Sequence, residues 1–201
     1  MNSSFDPGST ALLLCDLQND FIHPKGAYGR AGQGAAAIAA LPARLAPLCA
    51  AMREAGGWIV SVHFTLVPGR GGEPFIAEHL RKLRPFLARG DFAPGSWGHD
   101  IVDELKPVDL SVEKIAYSAF HMSRLEWVLR KAGIETLLVA GIVTSGGVAS
   151  TLRDAHVREF RPILLADGCA AFTPAVHADT VRSLAAVVPV MTCADALAAL
   201  G

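Results

Sequence analysis

The chain has 201 residues, of which 51% are hydrophobic and 18% are charged, and its formal net charge is -1. A chain of this length fits one domain, which can bury about 70–75% of its unfolded surface without disulfides or metal ions. The balanced charge gives no support to nucleic-acid binding, which needs a basic face, and no apolar run approaches the ~20 residues of a membrane helix, so we expect neither kind of partner.

Six short apolar runs predict strands that are buried on both faces. Near-continuous apolar character over such lengths is typical of parallel strands covered by helices. In chain order the runs are TALLLCDL (10–17), GWIVSVHF (57–64), LSVEKI (110–115), ETLLVAGIV (135–143), RPILLADG (161–168) and VPVMT (188–192).

Helical patterns lie between these strands, and the first two stop at glycines. The segments are 35–55, the repeat of Leu125, Val128, Leu129 and Ala132, then 147–159 and 175–187. This alternation predicts a single three-layer α/β/α domain over residues 1–201, built on a doubly wound parallel sheet of about six strands.

The segment 65–108 breaks the alternation, because it is rich in Gly, Pro and Arg. It is too long for an ordinary connection between a helix and a strand, and long loops are usually lids or binding loops. We interpret it as an insertion with short helices that covers the site.

Polar residues lie at the carboxyl ends of the predicted strands, where open parallel sheets bind ligands. In chain order they are Asp16, His63, Lys114, the turn GIVTSGGV at 141–148, and Asp167. Asp167 precedes a glycine and is equally well explained as a turn or capping residue.

Asp16 and Lys114 both interrupt apolar strand sequence. An ionisable group in such a place needs a partner, because its isolated burial costs several kcal/mol. An adjacent Asp and Lys can shuttle a proton while each adjusts the pKa of the other. A structural salt bridge explains the same pair, and both interpretations stay open at this point.

The GIVTSGGV turn also has two interpretations. Successive amides at a helix start can bind an anion or an oxyanion, and the flexible backbone at Gly146 and Gly147 lets a substrate approach closely. Alternatively, the two glycines only permit a tight corner between strand and helix.

Several other side chains are candidates for the wall of a small-molecule pocket. We expect His63 to line the cleft as a polar group, because no HxH, HxxxH or DxH pattern accompanies it, so we expect no metal site. Phe21, Trp97 and Phe120 could wall the pocket, although aromatic residues near strand ends are often core.

The four cysteines, Cys15, Cys49, Cys169 and Cys193, form no CxxC pair, and the first ten residues have no signal-peptide pattern. We therefore expect a reduced, cytoplasmic protein. Because neighbours on a strand point to opposite faces, Cys15 should face away from Asp16.

The motifs LLLCDLQNDF, VEKIAYSAF, AGIVTSGGVASTLRDA and PILLADGCAAF occur in this order along the chain. Together they resemble the isochorismatase-like hydrolases, also called the cysteine hydrolase superfamily. This resemblance covers nearly the whole chain and implies a hydrolase with a parallel sheet between helices. It also implies a small-molecule substrate, no cofactor, and a homodimer or homotetramer.

In the family's amidases the catalytic set is Asp, Lys and a nucleophilic Cys. The resemblance implies that Asp16 is the acid or base and that Lys114 positions it, while the Cys position falls on Gly147. It also implies that Thr144 and Ser145 shape the turn, often with a cis peptide bond between Val143 and Thr144, and we expect Val143 and Thr144 to lie in the substrate site. True isochorismatases of this family carry Gly at the same position and hydrolyse a vinyl ether without a covalent intermediate.

Three hypotheses remain open from the sequence. The first is a hydrolase without a Cys nucleophile that acts on a small, anionic molecule, with Asp16 and Lys114 as catalytic groups and the amides of Gly146 and Gly147 as an anion site. The second is an inactive scaffold that binds a metabolite or a protein. The third is amide hydrolysis by a water molecule that Asp16 activates.

Overall fold

The computed structural model describes residues 5–200, and within this range it contains one six-stranded sheet whose strands are all parallel. The strands lie in the order β3-β2-β1-β4-β5-β6, so the direction of winding reverses between β1 and β4. In chain order they are β1 Thr10–Cys15, β2 Trp58–Phe64, β3 Leu110–Lys114, β4 Thr136–Ile142, β5 Arg161–Ala170 and β6 Val190–Met191.

Helices connect the strands and cover the sheet. They are α1 Asn19–Ile22, α2 Ala27–Arg30, α3 Ala36–Ala39, α4 Leu41–Glu54, α5 Glu78–Leu83, α6 Leu125–Lys131, α7 Ala149–Val157, α8 Pro174–Leu184 and α9 Cys193–Leu200. A π-helical turn, Thr144–Val148, leads from β4 into α7. The predicted fold class, a doubly wound parallel sheet in a single α/β domain, is confirmed.

The two faces of the sheet carry separate apolar cores. Along β1, Leu13 faces the core that α6, α7 and α8 complete, whereas Leu12 and Leu14 face the core beneath α4 and α9. This division follows from the alternation of side chains along a strand. Because both faces are buried, the strand sequence is apolar without interruption.

Several predicted boundaries need correction. β1 ends at Cys15, before the charged side chain of Asp16, and β5 continues to Ala170 past an irregularity in its pairing with β4. The predicted helix 35–55 is divided into α3 and α4, and Pro42 stands in the first turn of α4, a position that suits proline. The short helix α9 was not predicted.

The stretch Ala36–Glu54 is long and apolar enough to cross a membrane by length and composition alone, so the expectation that no run approaches this length is wrong. Its residues Leu41, Leu45, Leu48 and Met52 are buried against the sheet. A core helix passes the same test, and the feature is therefore weak support for a membrane span.

The segment 65–108 contains α5, a short antiparallel bridge between Pro68 and Pro74, and a 3-10 turn at Asp103–Leu105. A second bridge joins Gln18 to Ile101. The segment is thus fixed to the chain that follows β1, and this position places it over the carboxyl ends of the strands. Its role as a lid stays a prediction.

Candidate active site

Asp16 lies directly after β1, next to the reversal in strand order. Its backbone adopts the left-handed region, with φ of 57°, and its amide donates to the carbonyl of Val62 over 2.9 Å. A non-glycine residue seldom adopts this conformation, and such residues are concentrated at functional sites. The turn directs the buried carboxylate across the end of β2.

Two donors hold the Asp16 carboxylate. Lys114 Nζ, at the end of β3, lies 2.8 Å from Oδ2, and the Phe64 amide, at the end of β2, donates to Oδ1 over 3.0 Å. Lys114 Nζ also donates to the carbonyl of Ala116 over 3.1 Å. Three adjacent strands therefore fix one carboxylate and one ammonium group relative to each other.

Burial governs the electrostatics of this pair. Both side chains are almost inaccessible to solvent, with 7% exposure for Asp16 and 2% for Lys114. Desolvation raises the pKa of Asp16 above its ordinary value of 3.8, and the charge of Lys114 opposes this rise. The site thus contains a carboxyl group whose proton affinity is increased, as general acid–base chemistry near neutral pH requires.

Gly147 faces this pair from the other side of the strand reversal. A Cβ atom placed on Gly147 would lie 3.1 Å from Asp16 Oδ2 and 3.6 Å from Lys114 Nζ. Position 147 is therefore the place from which a side chain would contact both ionised groups. With glycine there, the position carries only hydrogen.

The turn around Gly147 differs in detail from the expectation. The amide of Gly146 donates to the Val143 carbonyl over 2.9 Å, so it is used within the turn, and the expectation that this amide binds a substrate anion is corrected. Thr144 is fully buried, and its hydroxyl is hydrogen-bonded to His177 Nδ1 at 2.8 Å. The cis peptide bond joins Ile142 and Val143, one residue earlier than expected.

A cavity of about 590 Å³ opens above the pair, and its wall is largely apolar. Of the residues predicted from sequence, Asp16, Lys114, Gly147, Phe21 and Val143 line it. The sequence analysis missed a further set that comes from the ends of β2 and β3, from α2 and from the segment 65–84: Tyr28, Phe64, Thr65, Leu66, Val67, Phe75, Ala77, His79, Leu80, Arg84, Ile115, Ala116 and Tyr117.

His63 and Trp97 do not line this cavity, contrary to expectation; they line a separate one of about 800 Å³. His63 Nε2 is 2.7 Å from Ser61 Oγ, and Nδ1 is 3.0 Å from the His99 carbonyl oxygen. His63 precedes Phe64 on β2 and so faces the opposite side of the sheet. Burial lowers the pKa of His63 to about 4, which leaves the ring neutral at pH 7.

Phe120 is also corrected as a pocket residue. It is buried in the core on the α6 and α7 side, 5.7 Å from the Phe160 ring, with the Arg158 guanidinium 5.1 Å from its centroid. Phe120 therefore belongs to this core and does not line the cavity.

The four cysteines are free and buried. Cys15 packs in the core on the face that Leu13 shares, and burial raises the pKa of every one of these thiols. None of them lines the cavity above Asp16. Among residues 5–200, no group of three or more His, Cys, Asp or Glu side chains is placed to hold a metal ion.

Comparison with known proteins gives a consistent match. The sequence-family model of the isochorismatase domain matches residues 10–195 of this chain. The ureidoacrylate amidohydrolase RutB of Pseudomonas savastanoi pv. phaseolicola is 36% identical over 174 residues, which are 80% of this chain and 70% of that protein. The protein of the same name from Methylorubrum extorquens AM1 is 33% identical over 195 residues, which are 90% of this chain and 78% of that one.

Solved structures agree with this match. The crystal structure of a cysteine hydrolase from Pseudomonas syringae pv. phaseolicola superposes with a TM-score of 0.82 at 26% identity. The superposition covers 98% of this chain and 94% of that one. The similarity therefore extends over the sheet, the helices and the long segment above the site.

Proposed function

The chain belongs to the isochorismatase domain family, and from this premise we propose that it hydrolyses a C–N bond of a small molecule, with water as the attacking group. The observation that carries the proposal is the juxtaposition of Gly147 with the Asp16–Lys114 pair, because a group at position 147 would lie 3.1 Å from Asp16 Oδ2. The name of the relatives, ureidoacrylate amidohydrolase, supports a C–N bond as the bond that is cleaved.

Asp16 acts as the general base in this proposal. Its carboxylate accepts a proton from water while the water oxygen bonds to the carbonyl carbon of the substrate. The same proton then passes to the leaving nitrogen as the C–N bond breaks, which returns Asp16 to its ionised form. The two products are a carboxylic or carbamic acid and an amine, so the reaction consumes one water molecule and no other reactant.

Lys114 orients the Asp16 carboxylate and balances its charge. The ammonium group is held by Asp16 Oδ2 at 2.8 Å and by the Ala116 carbonyl at 3.1 Å, so its position is fixed before a substrate binds. A preorganised positive charge stabilises negative charge that develops in the transition state, and its effect is larger in a site shielded from water.

Glycine at position 147 is the reason for proposing water rather than a thiol. The amidases that the sequence resembles use a cysteine at the position that falls on Gly147. Here no side-chain atom is available to form a thioester, and the four cysteines lie outside the lining of the cavity. A water molecule in the space that a side chain would fill takes the place of the nucleophile.

Vinyl ether hydrolysis is a second candidate, and the raised pKa of Asp16 favours it. In that reaction Asp16 donates its proton to the vinyl carbon, and water adds to the resulting cation and returns a proton to Asp16. The hemiketal that forms then breaks its C–O bond to give a carbonyl compound and an alcohol. The inactive scaffold is not favoured, because the relatives are named as hydrolases and the buried charge pair is intact. From the resemblance we further propose a cytoplasmic homodimer or homotetramer.

A substrate screen followed by NMR tests the proposal. Wild-type protein, Asp16→Asn and Gly147→Cys are incubated with ureides, amides and vinyl ethers. Cleavage of a C–N bond by the wild type, and its loss in Asp16→Asn, supports the proposal. Amidase activity in Gly147→Cys with none in the wild type contradicts it, since the natural protein would then lack this chemistry.

A further inference from the structure

Arg84 lines the same cavity as Asp16 and Lys114 but comes from the segment above the sheet. It follows directly after α5, and its side chain is half-buried. Its Nε donates to the hydroxyl of Tyr28, which is buried between Phe21 and the stacked ring of Phe172. An arginine in this position is therefore held in place rather than free in solvent.

No carboxylate neutralises Arg84 in the part of the chain that the structure describes, since it takes part in no ion pair there. Two other cations, one on α2 and one on α5, do have partners. Arg30 is paired with Asp91 at 2.5 Å. Lys82 is paired at 2.7 Å with Glu78, which lies one turn earlier in α5. Arg84 differs from both because it faces the cavity.

The charges around the cavity do not balance. Its lining contains one acidic side chain, Asp16, and the basic side chains of Lys114 and Arg84. Because Lys114 neutralises Asp16 at 2.8 Å, the charge of Arg84 is left over. The remaining wall is mostly apolar and aromatic, and such a wall strengthens the interaction of an uncompensated charge with a ligand.

Tyr28 connects Arg84 to the catalytic end of the cavity. Burial raises the pKa of the Tyr28 hydroxyl, the adjacent Arg84 opposes this rise, and the charge of Asp16 adds to it. The hydroxyl is thus neutral, accepts from Arg84, and lies within electrostatic range of Asp16. The contact occupies Nε of Arg84 and leaves the two terminal nitrogens of the guanidinium group for another acceptor.

We propose that Arg84, oriented by Tyr28, binds a carboxylate of the substrate, so that the substrate class is a ureide or amide that carries a carboxylate a few atoms from the scissile C–N bond. This inference rests on the proposed function. The planar guanidinium group suits a carboxylate because it can donate two parallel hydrogen bonds. Arg84 is a specificity-determining residue in this account, since it holds the end of the substrate that does not react.

A structural role for Arg84, as a brace for Tyr28, is the competing explanation. Matched ligands separate the two roles, namely ureidoacrylate and its carboxamide, ureidoacrylamide, which has the same shape without the charge. Calorimetric binding to Asp16→Asn, and to Asp16→Asn combined with Arg84→Gln, measures recognition without turnover. Lys82→Gln in the same background is the control, because it removes a positive charge two residues from Arg84, on a side chain that does not line the cavity.

We expect Arg84→Gln to weaken ureidoacrylate binding by about 10–100-fold, the range for a lost charge-assisted hydrogen bond, and to leave binding of the carboxamide unchanged. Lys82→Gln should change neither. Equal losses for both ligands, or no loss of ureidoacrylate binding, would overturn the proposal, as would failure of ureidoacrylate to bind the Asp16→Asn parent.

The kinetic form of the test distinguishes this inference from the proposed function. If wild-type protein hydrolyses ureidoacrylate, Arg84→Gln should raise KM by a similar factor with kcat nearly unchanged, the pattern of lost uniform binding. Selective loss of ureidoacrylate binding in the absence of any turnover would sustain the carboxylate site and contradict the hydrolase. Ureidoacrylate turnover that Arg84→Gln leaves unchanged would support the hydrolase and contradict the carboxylate site.

Discussion

Lys114 Nζ and Asp16 Oδ2 lie 2.8 Å apart although their strands, β3 and β1, are separated by β2. The left-handed backbone at Asp16 and the Phe64 amide between the two strands make this contact possible. An ion pair buried to this extent is weak support for stability. Its position at the strand reversal, opposite Gly147, is instead what a reaction site requires.

The account predicts activity that does not depend on thiols. Burial raises the pKa of Cys49 to about 11 and that of Cys193 to about 12, and it raises those of Cys15 and Cys169 as well. Because the thiolate is the reactive form, iodoacetamide should leave wild-type activity unchanged.

Gly147→Cys is the matched positive control for that experiment. Its thiol would face Asp16 and Lys114 from the cavity wall, and mass spectrometry should find it alkylated while the four native cysteines stay intact. Alkylation of Cys169 in the wild type, accompanied by loss of activity, would contradict the account.

The pH profile of kcat/KM distinguishes base from acid catalysis by Asp16. As a general base Asp16 must be ionised, so activity should fall as the pH drops through its pKa, with a midpoint above the ordinary 3.8. Lys114→Gln should move this midpoint upward, because the charge of Lys114 lowers the pKa of Asp16. Activity that instead falls as the pH rises through the same midpoint would favour vinyl ether hydrolysis.

His63 makes the stability of the fold dependent on pH. Its pKa is about 4 when folded and 6.5 in the reference state, so the unfolded chain binds more protons between these values and stability falls as the pH drops through this window. Between about pH 7 and about pH 5 the loss amounts to roughly 2 kcal/mol. Urea denaturation should show that His63→Gln reduces the difference in unfolding free energy between about pH 7 and about pH 5 by about this amount. If the variant and the wild type show the same difference, the lowered pKa of His63 is not its cause.

Gly141 permits close approach of β4 to β1. Its φ is 122°, and a Cβ atom there would lie 2.1 Å from the carbonyl oxygen of Cys15. Gly141→Ala should therefore lower the free energy of unfolding by about 3 kcal/mol or more. Gly133→Ala is the control, because Gly133 also has a positive φ but open space around it, and it should cost only about 1–2 kcal/mol. If urea denaturation shows that Gly141→Ala and Gly133→Ala lower the free energy of unfolding equally, the steric argument for Gly141 is refuted.

The fold was predictable because its signals are local. Apolar strands alternate with helices, and this alternation leaves few topologies for a chain of this length. Asp16 and Lys114 were predictable for a related reason, since an ionisable residue in a buried strand stands out from its neighbours. Tyr117 was within reach as well, because it follows Lys114 by three residues in a motif that the sequence analysis singled out.

The rest of the cavity was not predictable, because it depends on where long connections run. His63 and Phe64 are neighbours on β2, and only the register of β2 decides which of them faces Asp16. Arg84 is one of several arginines in the segment 65–108, and nothing local marks it as the one that faces inward. The Gly146 amide was misjudged because the turn uses that donor internally, in a hydrogen bond to the Val143 carbonyl.

The most direct test of water-mediated hydrolysis is kcat/KM of Asp16→Asn against wild type on the best C–N substrate from the screen. The account predicts a loss of about 10²–10⁴-fold, the range for removal of a general base, with circular dichroism showing that the variant remains folded. Lys114→Gln should also lower kcat/KM, and this variant tests the role of the charge pair if Asp16→Asn is unstable. Full turnover by Asp16→Asn would contradict the account.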